Sequence, residues 1–126
     1  AARLVIRDEP AVTWELALRP EQDPADLKED EFYGYGVDAG TGCFYDASAE
    51  NAFPEAEEEE GPLWEAFENS DWSAGPHLVT SLDGGHTLAA FISGWGDGFY
   101  PTWIGRTADG EVTCFLTDFF VAPDRV

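Results

Sequence analysis

The chain lacks methionine, is poor in basic residues and has no long apolar run. Its 126 residues include six Lys or Arg, two His and two Cys. No stretch approaches the roughly 18 apolar residues of a transmembrane helix, and the first residues show no signal-peptide pattern. The length predicts that residues 1–126 are a single domain, and the missing methionine leads us to expect that they form the C-terminal part of a slightly longer protein.

The scarcity of basic residues gives the chain a formal net charge of −20, from 26 acidic residues against six basic ones. Residues 1–76 hold 20 of the acids and only four of the bases. Nucleic acids and anionic membranes are bound through Lys and Arg, so we expect neither as a partner. The charge favours a basic protein or a divalent cation as the partner, with solubility alone as the alternative reason for it.

The two cysteines, Cys43 and Cys114, allow one pairing, and we expect them to be reduced in a cytoplasmic protein. The histidines, His77 and His86, lie at opposite ends of a predicted hairpin in which Leu82 faces His86 and Phe91 faces His77. No Cys-x-x-Cys spacing is present, which argues against a zinc site. We therefore predict no metal and no cofactor, and we assign no catalytic residue.

What the chain does have is aromatic residues and strand-like alternation. Val12, Trp14, Leu16 and Leu18 alternate with Thr13, Glu15 and Ala17, a pattern typical of a strand with one buried face. Strands are predicted over residues 3–7, 11–18 and 32–37. Asp23-Pro24 predicts a capped helical turn. Gly34 and Gly36, on one face of the third strand, predict the close approach of another backbone or an aromatic ring.

The last third predicts two hairpins, with loops at 83–85 and 108–110. Two short helices are predicted, one from Ser48 to about Phe53 and one around residues 63–67. Together these elements predict an α+β fold: a twisted, mainly antiparallel sheet with a four-stranded C-terminal meander (78–82, 86–93, 99–106 and 111–122) and two short helices. The expected core is Trp14, Phe44, Trp64, Phe67, Phe91, Trp103, Phe115 and Phe119.

Residues 94–101, Gly-Trp-Gly-Asp-Gly-Phe-Tyr-Pro, are the most specific motif in the sequence. Glycines accept positive φ, and an Asp side chain can bind backbone amides, so the favoured interpretation is a tight turn. Alternatively, Asp97 projects into a pocket walled by Trp95, Tyr100 and Trp103.

A second glycine-rich loop begins at Asp38 and runs through Gly40 and Gly42 to Asp46. It lacks the Lys of a phosphate-binding P-loop, which favours a structural connection. Asp38, Asp46 and Asp97 could instead converge on Ca²⁺ or Mg²⁺. The candidate ligand-binding residues are Asp38, Gly40, Gly42, Asp46, Trp95, Asp97, Tyr100 and Trp103.

The segments 37–47 (VDAGTGCFYDA) and 93–119, with the Gly-Trp-Gly-Asp-Gly motif, resemble the bacterial domain-of-unknown-function family 4241. The resemblance implies a longer N-terminus and no established activity. From the charge we expect a small, non-catalytic binding module for a basic partner, of the immunity or inhibitor type. The alternative is an enzyme that binds a small molecule or a divalent cation in a cleft of aspartates and aromatic residues. The oligomeric state stays open.

Overall fold

The computed structural model describes residues 1–37, 40–49, 76–81, 84–93 and 96–121. The chain divides into two compact units, Ala1–Gly40 with Ser93–Val126 and Thr41–Ile92; a single-domain organisation stays a prediction. The described strands are β1 (Ala2–Val5), β2 (Thr13–Leu16), β3 (Tyr35–Val37), β4 (Thr41–Tyr45), β5 (His77–Thr80), β6 (Thr87–Ile92), β7 (Gly98–Tyr100), β8 (Thr102–Arg106) and β9 (Val112–Thr117).

Four strands of the first unit form an antiparallel sheet in the order β1, β9, β8, β2. Its centre is the β8–β9 hairpin, whose turn is closed by the Gly110 amide donating to the Thr107 carbonyl at 3.0 Å. Gly110 has a φ of 83°, which a glycine adopts without strain. The hairpin predicted at 108–110 is confirmed. The two predicted N-terminal strands occur as β1 and β2, at opposite edges of this sheet.

The strands β3 and β7 pair separately within the first unit, with Tyr35 opposite Tyr100. Gly34 lies against the backbone of Tyr100, since a Cβ placed on Gly34 would come within 2.2 Å of the Tyr100 carbonyl oxygen. A Cβ on Gly36 would meet nothing within 4 Å. The predicted close approach of another backbone is therefore confirmed at Gly34 and is wrong at Gly36.

Pro101 divides the predicted strand 99–106 between two sheets. It has no N–H to contribute to a ladder, so β7 ends before it and β8 begins after it. β7 then pairs with β3, β8 pairs with β9 and β2, and β6 pairs with β4 and β5. The predicted four-stranded C-terminal meander is wrong, because its first and second hairpins belong to different sheets.

In the second unit, β4, β6 and β5 form an antiparallel sheet in that order. The predicted β5–β6 hairpin is confirmed, but its predicted register is wrong by one residue: His77 faces Ala90, not Phe91. The Ser81 amide donates to the His86 carbonyl at 2.9 Å, so this pair encloses four loop residues, where the prediction has three. One extra loop residue moves every cross-strand partner by one position.

The α+β prediction is wrong, because nearly all the regular secondary structure of the described residues is strand. Beside the strands they contain two 3₁₀ turns, Pro24–Asp26 and Ala47–Ala49, and no α-helix. The turn at Pro24 confirms the predicted cap, since the Asp23 side chain accepts from the Ala25 amide. Part of the helix predicted over 48–53, and all of the one around 63–67, lie outside the described residues.

Among the described residues of the second unit, Val79, Leu88 and Ala90 form a buried cluster, with Cys43 packed against them. Burial raises the pKa of the Cys43 thiol above its usual value, because the thiolate is poorly solvated there. Phe91 is buried, as predicted, and its ring lies 5.1 Å from that of Phe44.

The core of the first unit contains Tyr100 and Phe119, whose rings meet edge to face at a centroid distance of 5.0 Å. Phe119 is buried as predicted, but Trp14 is 48% exposed, so its predicted core position is wrong. Phe44, Trp103 and Phe115 are half-buried, and Trp64 and Phe67 lie outside the described residues. Cys43 and Cys114 are both free thiols.

Candidate functional site

The structure brings Gly40 and Asp97 together from the two glycine-rich segments. The Gly40 amide donates to Asp97 Oδ1 at 2.9 Å, and the Gly40 carbonyl accepts from the Ser93 amide at 2.8 Å. Gly40 has a φ of 65°, and a Cβ on it would lie 3.4 Å from the Gly96 Cα. One oxygen of Asp97 therefore binds the loop at Gly40, which is distant in sequence. The prediction has Asp97 binding amides of its own turn instead.

Tyr100 also binds the backbone of the glycine-rich segment 94–101. It is buried, and its hydroxyl donates to the Gly96 carbonyl at 3.2 Å, an oxygen that also accepts from the Ser93 hydroxyl. A Cβ on Gly98 would lie 2.7 Å from the Tyr100 hydroxyl oxygen, so a larger residue at 98 would displace that ring. The polar groups of this segment thus fix the path of the chain.

Gly42 and Asp46, two further candidates from the second glycine-rich loop, belong to the second unit. Asp46 Oδ1 accepts hydrogen bonds from the Ser48 hydroxyl at 2.7 Å and the Ser48 amide at 2.9 Å. These bonds, the hydroxyl first, hold the pKa of the Asp46 carboxyl below its usual value. Gly42 is buried in β4 opposite Phe91. Asp38 and Trp95 lie outside the described residues, so the ligand-binding role of the full set stays a prediction.

Trp103 lines a different feature, which we call the aromatic cleft. This cleft lies entirely within the first unit and has a volume of about 550 Å³, within the usual range for ligand sites. Its lining residues are Trp14, Glu15, Leu16, Leu18, Pro24, Leu27, Asp30, Glu31, Phe32, Pro101, Trp103, Asp118 and Phe120.

Pairing between β2 and β8 builds the tryptophan wall of the aromatic cleft. Leu16 lies opposite Trp103, and Trp14 lies opposite Gly105. Because cross-strand partners and alternate residues share a face, both indoles lie on the same face of the sheet. A Cβ on Gly105 would come within 3.0 Å of Trp14 Cζ3, so the absence of a side chain there makes room for the indole.

Phe120 forms another part of the lining of the aromatic cleft, and its backbone conformation is unusual. Its φ is 56°, a left-handed conformation that is rare for a bulky residue. The Asp118 side chain accepts from the Phe120 amide at 2.8 Å, and the Asp118 amide donates to the Pro101 carbonyl at 3.1 Å. The Phe120 ring lies 5.5 Å from that of Phe32, and it stays 48% exposed.

The charged lining residues of the aromatic cleft are all acidic: Glu15, Asp30, Glu31 and Asp118. Glu15 forms an ion pair with Arg106 at 2.5 Å, and Glu31 accepts from the Lys28 amide at 2.6 Å. The Asp30 carboxylate makes no hydrogen bond or ion pair with any described residue. Apolar walls beside uncompensated carboxylates favour a cationic ligand over an anionic one.

The sequence indicated this site only in part. The alternation from Val12 to Leu18 predicts that Trp14 and Leu16 share a face, and this is correct, but the same pattern predicts that the face is buried. Of the lining residues, the sequence marks Trp103 as a candidate ligand-binding residue, but it does not mark Trp14, Phe120 or Asp30. No signal in the sequence relates Phe120 to a strand that lies about 100 residues earlier.

The described residues contain no group of three or more His, Cys, Asp or Glu side chains positioned to hold a metal ion. They also contain no helix that is both long enough and apolar enough to span a bilayer.

Comparison with known proteins supports the resemblance seen in the sequence. Curated proteins gave no match, and solved structures gave none either. A family model described as "protein of unknown function (DUF4241)" matches residues 1–117. The match spans nearly the whole chain, so this protein belongs to the DUF4241 family.

Proposed function

We propose that this protein is a non-catalytic binding module that recognises a basic protein, as an immunity or inhibitor protein does. The observation that carries the proposal is the aromatic cleft, whose charged lining residues are all acidic, on a chain with a net charge of −20. Charge of one sign steers an oppositely charged partner to the surface, and apolar walls then supply contact area that excludes water.

The exposed tryptophan and phenylalanine side chains support a protein as the partner. Trp14 and Phe120 are each 48% exposed and line the same cleft. Large aromatic residues at a surface are typical of the central contacts of protein interfaces, where they bury much area at a small cost in side-chain entropy. Charge that served only for solubility would not need aromatic side chains beside it.

The proposal includes a cytoplasmic location. Its support is that Cys43 and Cys114 are both free thiols, the state that reducing compartments maintain. The complex would therefore form with a partner that is present in the same reducing compartment.

The test is co-purification from cells that naturally express the protein, followed by reconstitution. We expect the captured partner to be basic and, once purified, to bind with an affinity that falls at least about tenfold between roughly 0.05 M and 0.5 M NaCl. An unrelated acidic domain of similar net charge serves as the control and should not bind the purified partner. A captured partner that is acidic, or an affinity that does not change with salt, would contradict the proposal.

A further inference from the structure

We propose that the aromatic cleft is the docking site for an arginine side chain of the basic partner. In this arrangement the guanidinium group stacks on the indoles of Trp14 and Trp103 and pairs with the carboxylate of Asp30. The inference rests on the proposed function and adds to it the surface and the recognised group.

The two indoles provide the stacking surface. They lie on adjacent strands and on one face of the sheet, with Leu16 opposite Trp103 and the side-chain-free Gly105 opposite Trp14. Neither indole N–H donates to a described residue, and Trp14 is about half exposed. Tryptophan is the side chain whose ring face attracts cations most strongly.

Asp30 supplies the counter-charge. Of the four carboxylates in the lining, Glu15 is held by Arg106, Glu31 by the Lys28 amide and Asp118 by the Phe120 amide. Asp30 makes no such bond with a described residue, and its φ of 69° is uncommon outside glycine. A carboxylate without an internal partner is the one available to an incoming cation.

The chemistry of the site favours arginine over lysine. Guanidinium is planar and weakly hydrated, so it loses little on leaving water, stacks flat on an aromatic ring and pairs with a carboxylate through two hydrogen bonds. Ammonium is a compact and strongly hydrated charge that gains less from two indole faces. A preference for arginine over lysine would distinguish this site from a general attraction of the acidic chain for any cation.

The experiment is a titration of the ¹⁵N-labelled protein with an acetylated, amidated tri-arginine peptide, followed through the indole N–H resonances. We expect the Trp14 and Trp103 resonances to shift saturably. Trp14→Ala and Trp103→Ala should each weaken binding about 5- to 30-fold. Asp30→Asn should weaken it more than Asp109→Asn, a matched loss of one charge outside the cleft lining. Tri-lysine should bind more weakly than tri-arginine.

Each contrary outcome has a separate meaning. The docking site would be overturned if Asp30→Asn and Asp109→Asn lost the same amount of affinity, or if the tryptophan variants bound like the wild type. Either result would still be compatible with a binding module that attracts its partner by charge. Equal affinity for tri-lysine would overturn the choice of arginine. Indole shifts that depend on protein concentration without peptide would show that a second copy occupies the cleft, which also overturns the inference. If Trp14→Ala fails to fold, Trp14→Leu replaces it, because it keeps apolar bulk but removes the aromatic face.

A failure of the proposed function gives a different result. In that case the co-purified partner is not basic, whatever the peptide titration shows. If the peptide still binds and its affinity still depends on Trp14, Trp103 and Asp30, the cleft is a guanidinium site on a protein that has another role.

Discussion

At the scale of single residues, several aspartates of this acidic chain stabilise their own turns. Asp23, Asp46 and Asp118 each accept a hydrogen bond from the amide two residues further along the chain. A short carboxylate reaches that amide without strain, which is why Asp is frequent in turns. These three carboxylates therefore have a structural role, and Asp30 differs by making no bond of this kind with a described residue.

The Ser48 hydroxyl is expected to control the acidity of Asp46. Ser48→Ala removes the first of the hydrogen bonds that lower the pKa of the Asp46 carboxyl, so that pKa should move up towards its usual value of about 3.9. A carboxyl with a lowered folded-state pKa stabilises the fold above its unfolded pKa, and that contribution is lost as the pH falls through the folded pKa.

The measurement is an NMR titration of the Asp46 carboxyl carbon in the wild type and the Ser48→Ala variant. Ser48→Thr keeps a hydroxyl and serves as the control, with a pKa close to that of the wild type. An unchanged pKa in Ser48→Ala would contradict the assignment of the hydroxyl bond.

Two buried threonines offer a second test at the residue scale. Thr113 and Thr117 are both fully buried, but the Thr113 hydroxyl has no hydrogen-bond partner among the described residues. The Thr117 hydroxyl lies 2.8 Å from that of Thr102 and also accepts from Tyr35. We expect Thr113→Val to raise the free energy of unfolding by about 1 kcal/mol and Thr117→Val to lower it by about 1 kcal/mol.

Urea denaturation of both variants checks this difference. Each substitution replaces a hydroxyl by a methyl group of similar volume, so the packing change is matched and the hydrogen bond is what differs. Equal destabilisation in the two variants would show that the Thr113 hydroxyl has a partner after all.

At the scale of secondary-structure elements, close backbone contacts decide which strands pair. Gly34 allows the chain before β3 to touch the carbonyl of Tyr100 at the end of β7, and Pro101 ends β7 immediately afterwards. These two residues direct β8 to the four-stranded sheet, which is where Trp103 joins the aromatic cleft.

Gly34→Ala is therefore expected to be strongly destabilising. Its methyl group would lie 2.2 Å from a backbone oxygen that cannot rotate away, and we expect the free energy of unfolding to fall by about 2–3 kcal/mol. Gly36→Ala is the matched control, since its methyl group would meet nothing within 4 Å, and it should change stability by less than about 1 kcal/mol. Chemical denaturation compares the two variants, and similar losses would contradict the close contact.

At the scale of the whole molecule, the excess of acidic residues destabilises the folded state, although it favours the binding of a basic partner. A net charge of −20 on 126 residues produces self-repulsion that is greatest in the compact state. Added salt screens this repulsion, since the Debye length falls from about 30 Å at 0.01 M to about 8 Å at 0.15 M.

We accordingly expect the melting temperature to rise when NaCl is increased from about 0.01 M to 0.15 M. Sorbitol at equal osmolality is the control for solvent effects that do not involve charge. Replacing Glu57, Glu58, Glu59 and Glu60 by Gln should reduce the rise in melting temperature, because it removes four charges from the acidic half. A melting temperature independent of NaCl would refute net self-repulsion.

Local patterns in the sequence were sufficient for local structure. Asp23-Pro24 predicted a capped turn, and the glycine-containing loops predicted both hairpins, because these features depend on φ preferences and on side chains that reach nearby amides. The motifs around Asp97 and Cys43 predicted family membership, which the family model supports over residues 1–117. The net charge, and with it the expectation of a basic partner, also follows from composition alone.

Only the tertiary structure decided which strands pair and which face stays open. The α+β class, the meander and the burial of Trp14 were predicted wrongly, because alternation in β2 specifies that Trp14 and Leu16 share a face but not what covers that face. The cleft joins Trp14 of β2, Trp103 of β8 and Phe120 beyond β9, and their proximity results from strand pairing across some 100 residues. Such pairing depends on the packing of the folded chain, which no local pattern encodes.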